Sequence, residues 1–430
     1  MTAVETVPRE ELEKLQLARL RETVGHALKT PFYSRRLGGI GISRPEDIES
    51  LEDLKKIPYT SKDDLRSAFP YGMLSIPLDD VVRLHASSGT TGTPTVIYHN
   101  QHDLDAWTAL SARSILCTGA QRRDVFQNMM TYGLFTGGLG LHYGAEAAGL
   151  LVIPASSGNT KRQFKLMKDF GTTVVHATPS YMLHLASRME AEGIRLEDLA
   201  LKKALVGAEP HSEDIRRKIE ELFSIDVYNS YGLSEMNGPG VAFECVFKQG
   251  MHVWEDNYIM EIIDRESLDQ VEDGEYGELV LTTLCRQATP LLRYRTRDIT
   301  AVYPDKCPCG RTHRRIQRFT GRTDDMLIIN GVNVFPSQIE EVIMAMPEIG
   351  TNYQIVVQKM GALDKLIVKT EVGKNIFTDD TRDLKALSSR IAENLKVSIS
   401  INPTVELHEP GFLPVAEGKA VRVLDQRPRM

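Results

Sequence analysis

Val81-Val82-Arg83-Leu84-His85-Ala86 leads into Ser87-Ser88-Gly89-Thr90-Thr91-Gly92-Thr93-Pro94, and Thr95-Val96-Ile97-Tyr98 leads out. The outer segments read as strands. The octet between them is rich in Gly, Ser and Thr. Backbone amides freed by glycine, together with several hydroxyl donors, suit a loop that wraps a polyphosphate. The octet lacks the Gly-Lys-Ser/Thr ending of a P-loop, so a strand–loop–helix nucleotide site of that kind is excluded. Taken alone, the octet also fits an ordinary hairpin turn. The rest of the chain weighs against that reading.

Downstream, from about 80 to 230, strand and helix patterns alternate. Strand candidates are Val125-Phe126, Leu150-Leu151-Val152-Ile153, Thr173-Val174-Val175-His176, Ala204-Leu205-Val206 and Val227-Tyr228, with helices expected over 160–170, 179–192 and 212–223. This alternation predicts an α/β fold, a mostly parallel sheet with helices on its faces and ligands at the carboxyl ends of its strands. From 253 to 303 strands follow one another without helices. Tyr258–Ile263 is expected to pair with Glu278–Thr282 across Asp273-Gly274-Glu275 in a small β subdomain. The last hundred residues read as a separate α+β unit: strands at 326–329, 354–357, 366–369 and 404–407, helices at 336–346 and 378–396. Upstream, Leu12, Leu15, Leu20, Val24 and Leu28 mark a helix over about 9–30 that Pro31 ends. There is no internal repeat.

The chain has 430 residues, enough for two or three domains, and 42% hydrophobic and 25% charged residues, as in ordinary globular enzymes. A net charge of −7 gives no general attraction to nucleic acid or anionic lipid. No apolar run approaches the roughly 18–20 residues that span a bilayer, and the polar N-terminus is unlike a secretory signal. A cytoplasmic protein is the default expectation. Five cysteines do not make a disulfide framework.

Six blocks in order resemble the adenylate-forming superfamily of acyl-CoA synthetases, and within it the phenylacetate–CoA ligases. They are Pro58–Arg66, Tyr132–Gly138, Gly207-Ala208-Glu209-Pro210, Tyr231-Gly232-Leu233-Ser234-Glu235 with Gly238-Pro239-Gly240, Tyr294–Asp298, and Asp324–Ile328 with Gly331–Pro336. The resemblance extends to Gly418-Lys419-Ala420. It implies a large ATP- and acyl-binding domain over 1–321, a hinge at 322–325 and a mobile small domain over 326–430. The implied reaction is ATP-dependent: an aryl acid such as phenylacetate forms an acyl-adenylate, and coenzyme A then takes the acyl group, releasing AMP.

The resemblance assigns parts to each half. Ser87, Ser88, Gly89, Thr90, Thr91 and Gly92 would hold the phosphates, with Glu235 carrying Mg2+, since a hard cation takes carboxylate oxygen and bridges phosphates. Asp298 would accept from both ribose hydroxyls, although Arg297 stands where the superfamily usually has Gly. Gly207, Ala208, Glu209, Asn229, Tyr231 and Gly232 would surround the adenine, and Arg322 would contact ribose or phosphate. Lys419 is the expected catalytic lysine, an ammonium for the charge gathering at the α-phosphate; Lys62 is a second candidate, for orienting the acyl carboxylate. Asp324 matches the hinge, against the alternative of a simple surface linker. Gly331 would leave room for the pantetheine arm.

Tyr132, Phe135, Gly207, Ala208, Gly238 and Pro239 are expected to wall the acyl group, small residues and aromatics making a flat slot; core packing is the other reading for Tyr132 and Phe135. Cys307-Pro308-Cys309 with Cys245 and His252 suggests a structural tetrahedral Zn2+ site, with His313 a rival fourth ligand. Cys117 and Cys285 read as small buried hydrophobes. Two other functions stay open: adenylation with transfer to an amine or a carrier-protein thiol, and a regulator with a degenerate site. A homodimer is expected from the family alone.

Overall fold

The computed structural model describes residues 1–87, 93–323, 325–360, 363–373, 381–414 and 421–427. Helix α1 (Arg9–Ala27) fills the expected span. Pro31 does more than end it. Thr30 caps a second helix, α2 (Pro31–Gly38), its hydroxyl accepting from the Tyr33 N–H. Pro31 takes the first helical position, where its missing N–H is not needed. Ser61 and Asp64 cap α3 (Lys62–Ser67) reciprocally. Strands β1 (Arg83–Ala86) and β2 (Val96–His99) form the antiparallel hairpin around the Gly/Ser/Thr octet.

The chain continues through α4 (Gln101–Cys117), β3 (Val125–Asn128), α5 (Thr136–Ala147), β4 (Leu151–Ile153), α6 (Thr160–Phe170), β5 (Val174–Ala177), α7 (Pro179–Arg188), β6 (Lys203–Gly207), α8 (Glu213–Phe223), β7 (Asp226–Leu233), β8 (Gly238–Glu244) and β9 (Met251–Val253). Then come β10 (Tyr258–Ile263), β11 (Gly277–Thr283), β12 (Tyr294–Thr300), β13 (Arg315–Ile316) and β14 (Gly321–Arg322). The main sheet has the order β13-β9-β8-β7-β6-β5-β3-β4, parallel from β4 to β7 and antiparallel beyond. Its centre, β5, is buried along its whole length, as a strand covered on both faces must be. Side-chain caps from Asn159, Thr178 and Ser212 start α6, α7 and α8 at the expected places.

Helix α5 was not expected. It carries Gly137, Gly138, Gly140 and Gly144, poor helix formers. Tertiary packing explains them. A Cβ on Gly140 would lie 2.6 Å from the Trp107 ring, and one on Gly144 would lie 2.4 Å from Ser111, so only glycine lets α5 lie against α4. The expected β subdomain is present as the antiparallel sheet β10-β11-β12-β14, with Tyr258 opposite Thr283 and Ile263 opposite Glu278.

In the C-terminal unit, β15 (Leu327–Ile329) and β16 (Val332–Val334) form a hairpin before α9 (Pro336–Met344). Strands β17 (Ile349–Met360) and β18 (Leu363–Val372), helix α10 (Thr381–Ile399), β19 (Thr404–His408) and β20 (Val423–Asp425) follow, the sheet running β19-β18-β17-β20. The unit docks on α7 and α8. Ser212 N–H donates to Glu340 Oε1 at 3.3 Å, Lys218 Nζ donates to Ile349 O at 3.4 Å, and the Ser337 hydroxyl donates to Thr320 O. Ile215, Ile219, Ile343 and Ile349 share one apolar cluster across this seam. Among the described residues no helix is long and apolar enough to cross a membrane.

Candidate active site

Asp298 and Arg322 are cross-strand partners on β12 and β14. Arg322 Nη1 donates to Asp298 Oδ1 at 2.9 Å, and the Tyr231 hydroxyl donates to Oδ2 at 2.5 Å. Asp298 is buried, so these charge-assisted bonds fix its direction. Tyr231 lies against Phe319, ring centres 4.2 Å apart. Burial, then the Asp298 charge, holds its phenol protonated well above the usual range. One β-bulge after Tyr231 brings Gly232 against Gly238: a Cβ there would meet the Gly238 carbonyl oxygen at 1.3 Å. Gly207 ends β6 opposite Ser230 on β7, next to Asn229. Glu209 accepts from Ser180 Oγ at 2.9 Å.

Glu235 is buried in the turn after β7. The Thr95 hydroxyl donates to its Oε1 at 3.2 Å, and Lys62 Nζ stands 3.9 Å from the same atom. Ser87 and Thr95 close the neck of the β1–β2 hairpin through Ser87 N–Thr95 O at 3.0 Å and Thr95 N–Ser87 Oγ at 3.1 Å. The expected phosphate residues Ser88, Gly89, Thr90, Thr91 and Gly92, the lysine Lys419 and the hinge residue Asp324 lie outside the described residues.

A cavity of about 490 Å³ opens at the carboxyl ends of β3, β5 and β7, beside these groups. Lys62, Phe135, Ala208, Glu235, Gly238 and Pro239 line it, while Gly207 does not. Phe135 is 45% exposed at its edge, which rules out core packing for this ring. Tyr132 is a correction. Its hydroxyl bonds Asn128 Nδ2 at 2.9 Å and His142 Nδ1 at 3.1 Å, and its ring stands edge-on to His142, off the cavity lining. The polar residues around it offer the phenol more than an apolar wall would. The lining also includes His176 and Tyr181, which the sequence reading missed. His176 sits on β5, near its carboxyl end, a position that could have flagged it. It is buried, and burial lowers its pKa to about 3, so the cavity sees a neutral imidazole; its Nδ1 meets Asn128 Oδ1 at 3.1 Å.

A second cavity, about 480 Å³, runs along the seam with the C-terminal unit, with Glu209 and Arg322 in its lining. Gly331 lies apart from both, exposed at the tip of the β15–β16 hairpin with open space around it.

Cys245, His252, Cys307 and Cys309 converge, their four ligand atoms all within 4.8 Å of one another. Cys245 and Cys307 sulfurs are 3.6 Å apart, and Cys309 Sγ is 3.4 Å from His252 Nε2. His252 Nδ1 lies 3.0 Å from the His313 carbonyl, which can only accept. That bond leaves the Nε2 lone pair turned toward the thiols, as a tetrahedral metal requires. Burial disfavours charge here, yet the three thiols draw His252 up to about 11 and the imidazole draws Cys309 down to about 5, so thiol and imidazole share protons that a metal ion would displace. The rival His313 is not part of the set; its Nε2 meets Val4 O at 3.1 Å. Cys117 is buried, and burial pushes the Cys285 thiol up to about 12.

Residues 42–285 match the family model described as AMP-binding enzyme, and residues 331–427 match the AMP-binding enzyme C-terminal domain. The phenylacetate-coenzyme A ligase of Thermus thermophilus is 45% identical, covering 99% of this chain and 98% of its own. That of Pseudomonas putida is 44% identical, covering 99% and 96%. Among solved structures, 2-hydroxyisobutyryl-CoA ligase in the postadenylation state with 2-HIB-AMP superposes with a TM-score of 0.92 at 28% identity, covering 98% of this chain and 91% of that one. The same ligase with 2-HIB-AMP and CoA in the thioesterification state gives 0.72 over the same coverage.

Proposed function

Because the chain belongs to the AMP-binding enzymes and, within them, to the phenylacetate-coenzyme A ligases, we propose that it activates phenylacetate or a related aryl acid to its CoA thioester. ATP is consumed and AMP released, by way of an acyl-adenylate. The observation that carries this reading is an acid-sized cavity meeting the buried Glu235 carboxylate and the partly exposed Lys62 beside it, at the strand ends near Asp298 and Arg322.

In this reading the aryl ring enters between Phe135 and the Gly238-Pro239 wall, with neutral His176 below it. Lys62 attracts the carboxylate and orients it. Asp298 holds the ribose hydroxyls, itself held by Tyr231 and Arg322. Ser87 and the residues after it bind phosphate. Glu235 would carry Mg2+, which neutralises phosphate charge when bound. Lys419 stabilises the charge that gathers as the carboxylate oxygen bonds the α-phosphorus and pyrophosphate leaves. The CoA thiolate then attacks the acyl carbon and AMP leaves, after the C-terminal unit turns about Asp324 and brings Gly331 toward the pantetheine arm. The better superposition on the postadenylation form supports reading the present arrangement as that of the adenylation half. We assign a structural Zn2+ to Cys245, His252, Cys307 and Cys309, and retain a cytoplasmic homodimer as part of the proposal.

A panel of aryl and alkyl acids, with ATP, Mg2+ and CoA, tests the reaction. Phenylacetate should give AMP and phenylacetyl-CoA in equal amounts; AMP without a CoA thioester would favour an amine or carrier-protein acceptor instead. Asp298→Ala should raise KM for ATP about 10²–10⁴-fold with a smaller change in kcat, since two hydrogen bonds to a charged group contribute about 1.5–3 kcal/mol each. An unchanged KM would remove Asp298 from the ribose role.

A further inference from the structure

The Leu134 carbonyl accepts two hydrogen bonds from the phosphate hairpin: Ala86 N–H at 3.1 Å and His85 Nδ1 at 3.0 Å. Leu134 immediately precedes Phe135, which rims the acyl cavity. Ala86 and His85 are the last residues of β1, immediately before Ser87. Ser87 pairs with Thr95, and the Thr95 hydroxyl donates to Glu235. A short run of direct contacts therefore joins the wall of the acid cavity to the groups assigned to phosphate and metal.

The acid side of this run is poorly anchored by its own side chains. Leu134 is 60% exposed and Phe135 45% exposed, so the Leu134 carbonyl, rather than the side chain of Leu134, ties the segment down. On the hairpin side His85 is well packed. His85 is 1% exposed and packs edge-on against Trp107 at 5.4 Å and His99 at 5.7 Å, and Trp107 Nε1 in turn donates to Pro239 O at 2.9 Å. A carbonyl can only accept, so Nδ1 of His85 carries the proton. The other ring nitrogen, Nε2, has no protein partner. Burial lowers the His85 pKa, keeping the ring neutral with that tautomer. His85 thus uses one N–H and spends it on Leu134.

We infer that His85 is a positioning residue that couples the two substrates of the adenylation step: an aryl acid settling against Phe135 fixes the Leu134 carbonyl, and through His85 and Ala86 fixes the hairpin neck that receives ATP. This rests on the function proposed above. Because coupling free energies are reciprocal, ATP tightens acid binding by the same factor as acid tightens ATP. Typical couplings are about 5–150-fold.

The test measures equilibrium binding of a non-hydrolysable ATP analogue with Mg2+, with and without saturating phenylacetate, on the full chain. Three variants separate the single N–H from packing. Asn carries a donor near the position of Nδ1, Gln carries one near Nε2, and Leu carries none. Wild type should bind the analogue at least about fivefold more tightly with acid present. His85→Asn should keep that ratio, while His85→Gln and His85→Leu should bring it within about twofold of one, with phenylacetate affinity in the absence of nucleotide unchanged. A merely structural histidine would shift both affinities and leave their ratio alone. The inference is overturned if wild type binds both ligands with a ratio of one, if Gln keeps the ratio, or if Asn loses it. If wild type binds neither ligand, the functional reading itself fails and takes this inference with it.

Discussion

Lys419→Ala is expected to slow acid-dependent exchange of labelled pyrophosphate into ATP by about 10²–10³-fold, while thioester formation from preformed phenylacetyl-adenylate and CoA stays within about threefold of wild type. The first number follows from the cost of removing one preorganised charge-stabilising donor at a developing anion, about 3–4 kcal/mol. The second follows from the proposed domain turn, which withdraws Lys419 before the thiol attacks. Lys419 itself lies outside the described residues, but the residues on either side of that segment are anchored. Leu413 N–H donates to Glu371 Oε1 at 2.8 Å, and Arg422 Nη1 donates to Asn352 Oδ1 at 2.9 Å, with Val423 paired to Ile355. Both anchors lie in the C-terminal unit. Equal losses in both half-reactions, with an unchanged melting temperature, would show that Lys419 does not serve adenylation selectively.

The proposed metal site carries the second large effect. The protein as purified should contain one zinc per chain, and Cys307→Ser should lower its melting temperature by about 8–16 °C. A ligand present at 1,000 times its Kd stabilises by about 4 kcal/mol, and a domain-sized unit loses about 2–4 °C per kcal/mol. The damage should begin at the N-terminus. Arg311, two residues beyond Cys309, pairs with Glu5 at 2.5 Å, Thr312 N–H donates to Glu5 O at 2.9 Å, and His313 meets Val4 O. Limited proteolysis of the variant should cut within the first ten residues before any other site. Adenylation at low temperature should survive, because the cluster sits at the β8–β9–β13 edge of the sheet rather than among the cavity residues. A variant with full zinc content and wild-type melting would dismiss the assignment.

The AMP-binding family was legible before any coordinates, because its six blocks are local strings whose order along the chain is itself information. So were α6, α7 and α8, since polar caps and helical periodicity act within a few residues. The β10–β11 pair was legible for the same reason, its partners lying close in sequence around Gly274. The residues that meet at Asp298 were named one by one, yet nothing local shows that the hydroxyl of Tyr231 and the guanidinium of Arg322 hold the same carboxylate from two different sheets.

What the amino-acid order determined alone is the list of chemical parts and the alternation that makes a parallel sheet. What only the tertiary structure decided is which parts share a wall. Tyr132 and His176 lie 44 positions apart, and the sheet brought His176 into the cavity while Asn128 and His142 drew Tyr132 out of it. His313 was a rival to His252 as the fourth ligand until strand pairing put His252 beside the thiols and His313 against Val4. The glycines of α5 spoke against a helix until Trp107 and Ser111 came close enough to demand them. Tyr132 answers to neighbours four and ten residues away; in the other cases the deciding contact joins residues remote in sequence, where propensity and spacing carry no information and only packing and hydrogen-bond satisfaction choose.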